Sequence, residues 1–311
     1  MARASGAAVA GRVSVIVPTN GSPWLPTALA SIAEQGVDDL EVIVVINGKS
    51  GPIPASFDER TEVVEVAQPL GSERARAVGI ERSTGEFLAF LDHDDAWLPG
   101  KLRRQIDSLE ATGASFSHCQ FLVRYEADPD LHPGFGSDVG YLDILRGELN
   151  IFSSGVVMRR AIYDKVGGYV ESSNLGEDID LYVRILRLGR ATFIAEPLFV
   201  YRRHAGATSG DWRLSRTGAV IVYRRQVRSA RRAGDRIALA AGREGLRTIR
   251  SMYAGEAIKE FDEAMTRRDL RRVLSTLAEA ASLDVRRTAK HVAIRARAAA
   301  RRRRFPRRGV R

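Results

Sequence analysis

Three carboxylates within four residues, Asp92, Asp94 and Asp95, follow directly on the apolar run Phe87 to Leu91. An apolar run of that length reads as a buried strand, and acids at the carboxyl end of such a strand lie where open α/β sheets bind ligands. Acids so closely spaced repel one another unless a cation or hydrogen-bond donors offset them. A divalent metal holding a phosphate suits the position, and a solvated acidic turn is the plainer alternative.

The surrounding pattern favours the sheet. Val13 to Val17, Glu41 to Ile46, Glu62 to Ala67 and Glu86 to Leu91 read as strands, while Leu25 to Gln35, Ser72 to Arg82 and Lys101 to Glu110 have helical spacing. This alternation predicts an α/β protein with a mostly parallel sheet covered by helices on both faces. Pro18-Thr19-Asn20-Gly21 and Asn47-Gly48-Lys49-Ser50 end the first two strands with turn residues. Neither is a glycine loop of the kind that cradles phosphate in dinucleotide-binding or kinase-like proteins.

Further along, Ser153-Ser154-Gly155 precedes the apolar run Val156 to Met158, and a helical Arg159 to Val166 ends at Gly167-Gly168. Glu177, Asp178 and Asp180 open the amphipathic stretch Leu181 to Leu188. One acid in a first turn suffices for capping, so three leave a carboxylate to spare. The strand-like Ala191 to Val200 then leads through Tyr201-Arg202-Arg203 to His204. Cys119 and His118 sit next to each other in a strand-like stretch, where neighbours face opposite ways, so a buried structural cysteine is expected.

Charge divides the chain of 311 residues in two. Trp212 to Arg311 holds 28 Lys and Arg against 9 Asp and Glu, a balance of +19 that leaves the first 211 residues at −9. We therefore expect an acidic α/β domain over 1–211, a basic helical extension over 212–300 with breaks near Gly234, Gly242 and Gly255, and a disordered basic tail over 301–311. A single cysteine, no membrane-length apolar stretch and no secretory h-region predict a cytoplasmic chain.

The ordered set PTN, ALASIAEQ, DLEVIVVINGKS, GSERARAVGIERSTGEFLAFLDHDDAWLPGKL, SSGVVMRRAIYDKVGGY, GEDIDLYVRILRLG and YRRH resembles the family 2 glycosyltransferases from about Val13 to His204. The resemblance implies a GT-A (Rossmann-like) fold and inverting transfer of a sugar from a UDP-, dTDP- or GDP-linked donor to a glycan or lipid-linked acceptor, in cell-surface polysaccharide or glycolipid synthesis. It implies that Asp92 contacts the ribose or bridges toward the metal, that Asp94 ligates Mg²⁺ or Mn²⁺ with His204 completing that site, and that Asp178 is the general base. Thr19, Asn47 and Arg76 match positions near the nucleoside, with Pro18, Asn20, His93 and Glu177 beside them in the expected donor site. Trp97 supports the acidic loop or forms a wall of the sugar pocket. The sequence departs from the family pattern at Ile46-Asn47, where an acidic pair is usual, and at Ala75-Arg76-Ala77, where ARN is usual.

Two other classes compete. One is a sugar-nucleotide-binding scaffold without catalysis, which the joint presence of Asp94, Asp178 and His204 argues against. The other is a nucleic-acid-binding protein, suggested by a pI near 10.1. Against it, the positive charge avoids the body and the tail has little aromatic interleaving. For the Arg-rich C-terminal segment two readings stand equally: an anionic membrane surface as partner, which would make the chain peripheral on the inner face of the membrane, and a solvated helical extension that packs on the body or on a protein partner.

Overall fold

A computed structural model describes residues 8–48, 51–128, 130–148, 151–170, 176–204, 206 and 211–304. Strand β1 (Val9–Thr19) is the spine of the sheet, buried without interruption from Val13 to Thr19. It pairs in parallel with β2 (Leu40–Ile46) on one side and β4 (Gly85–Phe90) on the other, and β3 (Thr61–Glu65) extends the sheet in parallel beyond β2. Past β4 come β8 (Val157–Arg159), β6 (Phe116–Tyr125), β9 (Ala191–Arg203) and β5 (Ala96–Trp97), while β7 (Leu131–Pro133) pairs with β6.

The sheet is parallel in its first half and mixed in its second. β8 runs antiparallel to both β4 and β6, whereas β9 runs parallel to β6. This is the mixed, helix-flanked sheet expected of a GT-A fold, with the three-residue β8, entered from the turn Ser153–Gly155, as the reversed strand at its centre. Two reversals restore direction, so the carboxyl ends of β1, β2, β4, β6 and β9 share one edge. The polar turns after β1 and β2, the acidic turn after β4 and His204 after β9 are gathered there by topology.

Helices α1 (Leu25–Ala33), α2 (Ser72–Arg82), α3 (Lys101–Thr112), α4 (Tyr141–Arg146), α5 (Arg160–Lys165) and α6 (Glu177–Leu186) belong to the same unit, residues 1–210. The core beneath them joins Val15, Val17, Leu25, Val44, Phe87, Trp97, Leu102 and Phe199. α6 begins at Glu177, so the three acids lie in its first turn as expected, whereas β9 runs beyond the expected Val200 to Arg203 because Tyr201 to Arg203 keep pairing with Val123 to Tyr125.

The second unit, residues 211–311, is built from α7 (Trp212–Arg232), α8 (Arg236–Arg267), α9 (Leu270–Leu283) and α10 (Val285–Arg304). The expected break near Gly234 is present, with Gly234 between α7 and α8 at a φ of 69°, and aspartates mark the helix starts. Asp211, Asp235 and Asp269 each accept backbone N–H groups as N-caps, and Asp284 accepts from Arg287 N at 3.0 Å. Gly242 and Gly255, expected as breaks, lie inside α8, where a Cβ would come within 3.1 Å of Val227 Cγ2 and 2.8 Å of Arg287 Nη2 respectively. They permit close helix approach. The expected tail is also revised, since α10 continues through Arg301 to Arg304; residues 305–311 lie outside the described residues. Inside the unit, Arg213 bridges Glu260 and Glu279 at 2.9 and 2.8 Å, and Arg216 adds Glu279 at 2.7 Å.

Gly79 sets how closely α2 lies on β1, because a Cβ there would come within 2.5 Å of Ile16 Cγ2. Gly79→Ala should lower unfolding free energy by about 1–2 kcal/mol in urea titrations, despite alanine's better helix propensity.

Candidate functional site

Leu91 N bonds Ile16 O at 3.1 Å, and the chain then turns, with Asp95 N donating to Asp92 O at 3.0 Å. The three carboxylates of this turn take three different partners. Asp92 Oδ1 forms an ion pair with Arg76 Nη2, and Asp94 Oδ2 lies 2.9 Å from His204 Nε2. Asp95, only 2% exposed, accepts from Ser154 Oγ at 2.6 Å and from Arg202 N at 2.9 Å. Burial, with the neighbouring charges of Asp94 and Asp92, pushes the Asp95 carboxyl well above the usual range. Each acid thus has its own partner, while the charges of Asp92 and Asp94 still weigh on Asp95.

Ser154 fastens the turn a second time, since its Oγ accepts from Asp92 N at 3.1 Å. The carbonyl of Ser154 takes the indole N–H of Trp97 at 2.8 Å. Trp97 is 3% exposed, within the core, with Lys101 Nζ 4.3 Å from its ring centroid. Its place is therefore support of the acidic loop, and the sugar-wall alternative is corrected.

Arg76 enters from α2, buried. Burial opposes its charge, but Asp92 and Glu73 more than offset this, so its pKa is raised overall. Its Nε has no partner among the described residues. Asp178, in the first turn of α6, is half-buried and within electrostatic reach of Glu73, Arg76 and Asp92. Desolvation and the Glu73 charge raise its carboxyl to about 6, while Arg76 and the N–H of Ile179 pull it down. Asp180 does other work: it bonds Arg184 Nε at 2.8 Å, and Arg184 in turn holds the carbonyls of Val166 and Gly168. The side chain of Glu177 lies outside the described residues.

His204 is also fixed from the side of α1. Its ring lies 4.5 Å from that of Trp24, over which the Arg202 guanidinium sits at 5.1 Å. Arg202 Nε donates to Asp94 O at 3.0 Å, so β9 grips the acidic turn through backbone and side chain together.

The other expected donor-site residues divide by exposure and partner. Pro18 and Thr19 are buried, with Thr19 Oγ1 accepting from Gly21 N at 3.0 Å, whereas Asn20 is exposed and His93 half-buried. Asn47 donates through Nδ2 to Leu70 O at 2.6 Å and accepts through Oδ1 from Leu70 N at 2.5 Å. That clamp uses the donor and acceptor expected to read a base, so in this structure Asn47 positions the segment before α2. His118 and Cys119 are both buried, and burial lowers the imidazole to about 4 and raises the thiol to about 11.

Sequence reasoning missed Ser154, Arg202, Trp24, Glu73 and the structural role of Asp95. Ser154 and Arg202 had a signal, lying inside the SSG and YRRH motifs, but their partner Asp95 lies 59 and 107 residues away. Glu73 stood inside GSERARAVGIERSTG, and only the fold shows it beside Asp178.

The sheet and its helices have the GT-A fold, and residues 14–167 match the glycosyl transferase family 2 model. The N-terminal unit is a family 2 glycosyltransferase domain. An uncharacterised glycosyltransferase of Rickettsia conorii is 24% identical over 209 residues, covering 62% of this chain and 34% of that protein. The putative teichuronic acid biosynthesis glycosyltransferase TuaG of Bacillus subtilis is 31% identical over 112 residues, 34% of this chain and 44% of that protein. The chain thus spans well under two thirds of the length of these relatives. In fold it is similar to S. aureus TarS 1-349, with a TM-score of 0.57 at 16% identity over 89% of this chain and 82% of that one. The complex of TarS 1-349 with UDP-GlcNAc matches at 0.54, covering 70% and 66%.

Ser154→Ala removes the hydroxyl shared by Asp95 and Asp92 N and leaves a buried carboxylate with one partner fewer. The expected loss is about 1–3 kcal/mol of unfolding free energy, measured in urea, with Ser154→Thr retaining more of the stability than alanine.

Proposed function

We propose that this chain moves a glycosyl group from a nucleotide-diphosphate sugar to a hydroxyl acceptor, with inversion at the anomeric carbon. The observation that carries the reading is the arrangement of four acids at one sheet edge: three are held by donors or cations, and Asp178 keeps a carboxylate bound only by its neighbour's N–H among the described contacts. An acceptor hydroxyl attacks the anomeric carbon as the bond to the diphosphate oxygen breaks. The hydroxyl proton passes to Asp178, and the nucleoside diphosphate leaves with the bonding pair. One ionised carboxylate suffices for this displacement, and a pKa near 6 keeps it both ionised and basic at neutral pH.

The leaving diphosphate gathers negative charge beside Arg76 and the Asp94–His204 pair. Among the described residues no three His, Cys, Asp or Glu side chains are grouped as a metal site. The donor set nonetheless fits a hard divalent ion held jointly with phosphate, since such ions take one or two carboxylates plus substrate oxygens. Asp94 would hold Mg²⁺ or Mn²⁺, with His204 beside it; when bound, the ion would neutralise charge on the departing diphosphate. The complex of TarS 1-349 with UDP-GlcNAc supports a nucleotide-sugar donor, and the teichuronic acid assignment of TuaG supports a cell-surface glycan or its lipid-linked precursor as acceptor. No helix of the described residues is long and apolar enough to cross a membrane.

Asp178→Asn should abolish transfer while donor affinity, measured by calorimetry, stays within about twofold; joint loss of affinity and rate would reassign the residue to donor binding. The base must be ionised to act, so kcat/KM should rise from acid to neutral pH with a limb near 6. Glu73→Gln removes a charge that raises Asp178 and should move that limb to lower pH in the same assay.

A further inference from the structure

Among the described residues of the helical unit, α10 is held through one side. Thr288 is buried, His291 Nε2 and Arg295 Nη1 lie 2.9 and 2.7 Å from Asp262 Oδ1, and Arg287 Nη1 donates to Ser251 O at 2.8 Å. These contacts fix the rotation of the helix about its axis. At 3.6 residues per turn, Val285, Ala289, Val292 and Ala296 then form one row facing away from α8. Val285 is 65% exposed and Val292 38%, and both alanines are exposed. Arg286, Lys290 and Arg297 are exposed in the adjoining row. Between Val285 and Arg304 there are nine Lys and Arg and no Asp or Glu.

We propose that α10 lies along an anionic lipid surface, with its basic row on headgroup phosphates and its valine and alanine row entering the interface. Charge and shape together select this occupant. A second copy of the same face would bring two acid-free basic helices together, which like-charge repulsion opposes. A nucleic acid would take the basic row but leave the apolar row in water, and the row has no aromatic side chain on which bases could stack. A bilayer surface satisfies both rows at once, as interfacial amphipathic helices do. α9 also exposes Leu270 and Leu274, but its exposed row lacks an unbroken basic border. Lipid association of α10 stands whether or not the acidic turn transfers sugar, because none of its residues belongs to that turn.

The test is flotation of the full chain with phosphatidylcholine vesicles, with and without about one third phosphatidylglycerol, at low and high salt. The chain should float only with the anionic vesicles and be released by high salt. Both R286Q/K290Q/R297Q and V285E/V292E should lower partitioning at least about tenfold, with melting temperature and helical circular dichroism unchanged. Equal flotation on both vesicle types overturns the proposal, as does full binding by V285E/V292E, which would reduce it to nonspecific charge adsorption. Retention on duplex DNA without flotation, or a concentration-dependent dimer dissolved by V285E/V292E without flotation, overturns it as well.

Discussion

The turn from Asp92 to Asp95 is held by a side chain that cannot be moved without moving both ends of the turn. Ser154 Oγ gives its proton to Asp95 and takes one from Asp92 N, while the Ser154 carbonyl binds the Trp97 indole. Arg202 closes the other side through its backbone N–H on Asp95 and its guanidinium on the Asp94 carbonyl. The turn therefore connects β4, the turn before β8, and β9, three segments that the topology brings to one edge. Rigidity at this point matters because Asp92 and Asp94 face outward from it, and their orientation is inherited from a buried neighbour.

That arrangement explains how three acids coexist within four residues. The buried one is kept by hydrogen bonds, the second is matched to a buried guanidinium, and the third is matched to an imidazole wedged against Trp24. Each solution has a different response to ligand. Asp95 is committed to structure, whereas Asp92 and Asp94 are partly exposed and paired with cationic or protonatable groups that an incoming diphosphate and its metal could re-engage. Asp178, like Asp95, has its carboxyl raised, here by burial and the Glu73 charge, but it is half-buried and its described hydrogen bond comes from the N–H of Ile179.

Much of this was legible in the sequence, for reasons particular to each element. β1, β2 and β4 carry apolar runs of the kind a sheet buried on both faces needs, and the motifs singled out Asp94 and His204, which the structure pairs, along with Asp178, which lies within electrostatic reach of Asp92. Partners set by long-range contact were not legible. Nothing local marks Ser154 as the hydroxyl between Asp92 and Asp95, and nothing near Asn47 shows its amide clamped on Leu70. Gly242 and Gly255 were misread because a glycine that breaks a helix and one that admits a neighbouring helix look alike in sequence; Val227 and Arg287 decide between them.

A crystal structure of the chain with UDP-GlcNAc and Mn²⁺ tests the central claim most directly, since the claim is that one rigid turn presents Asp92 and Asp94 to a sugar diphosphate with Asp178 opposite. The account predicts diphosphate and metal density against Asp94 and His204, the sugar between that density and the Asp178 carboxylate, and the Ser154–Asp95 hydrogen bond unchanged. Nucleotide bound elsewhere on the unit, or bound at this edge with Asp178 turned away from the anomeric carbon, would contradict it.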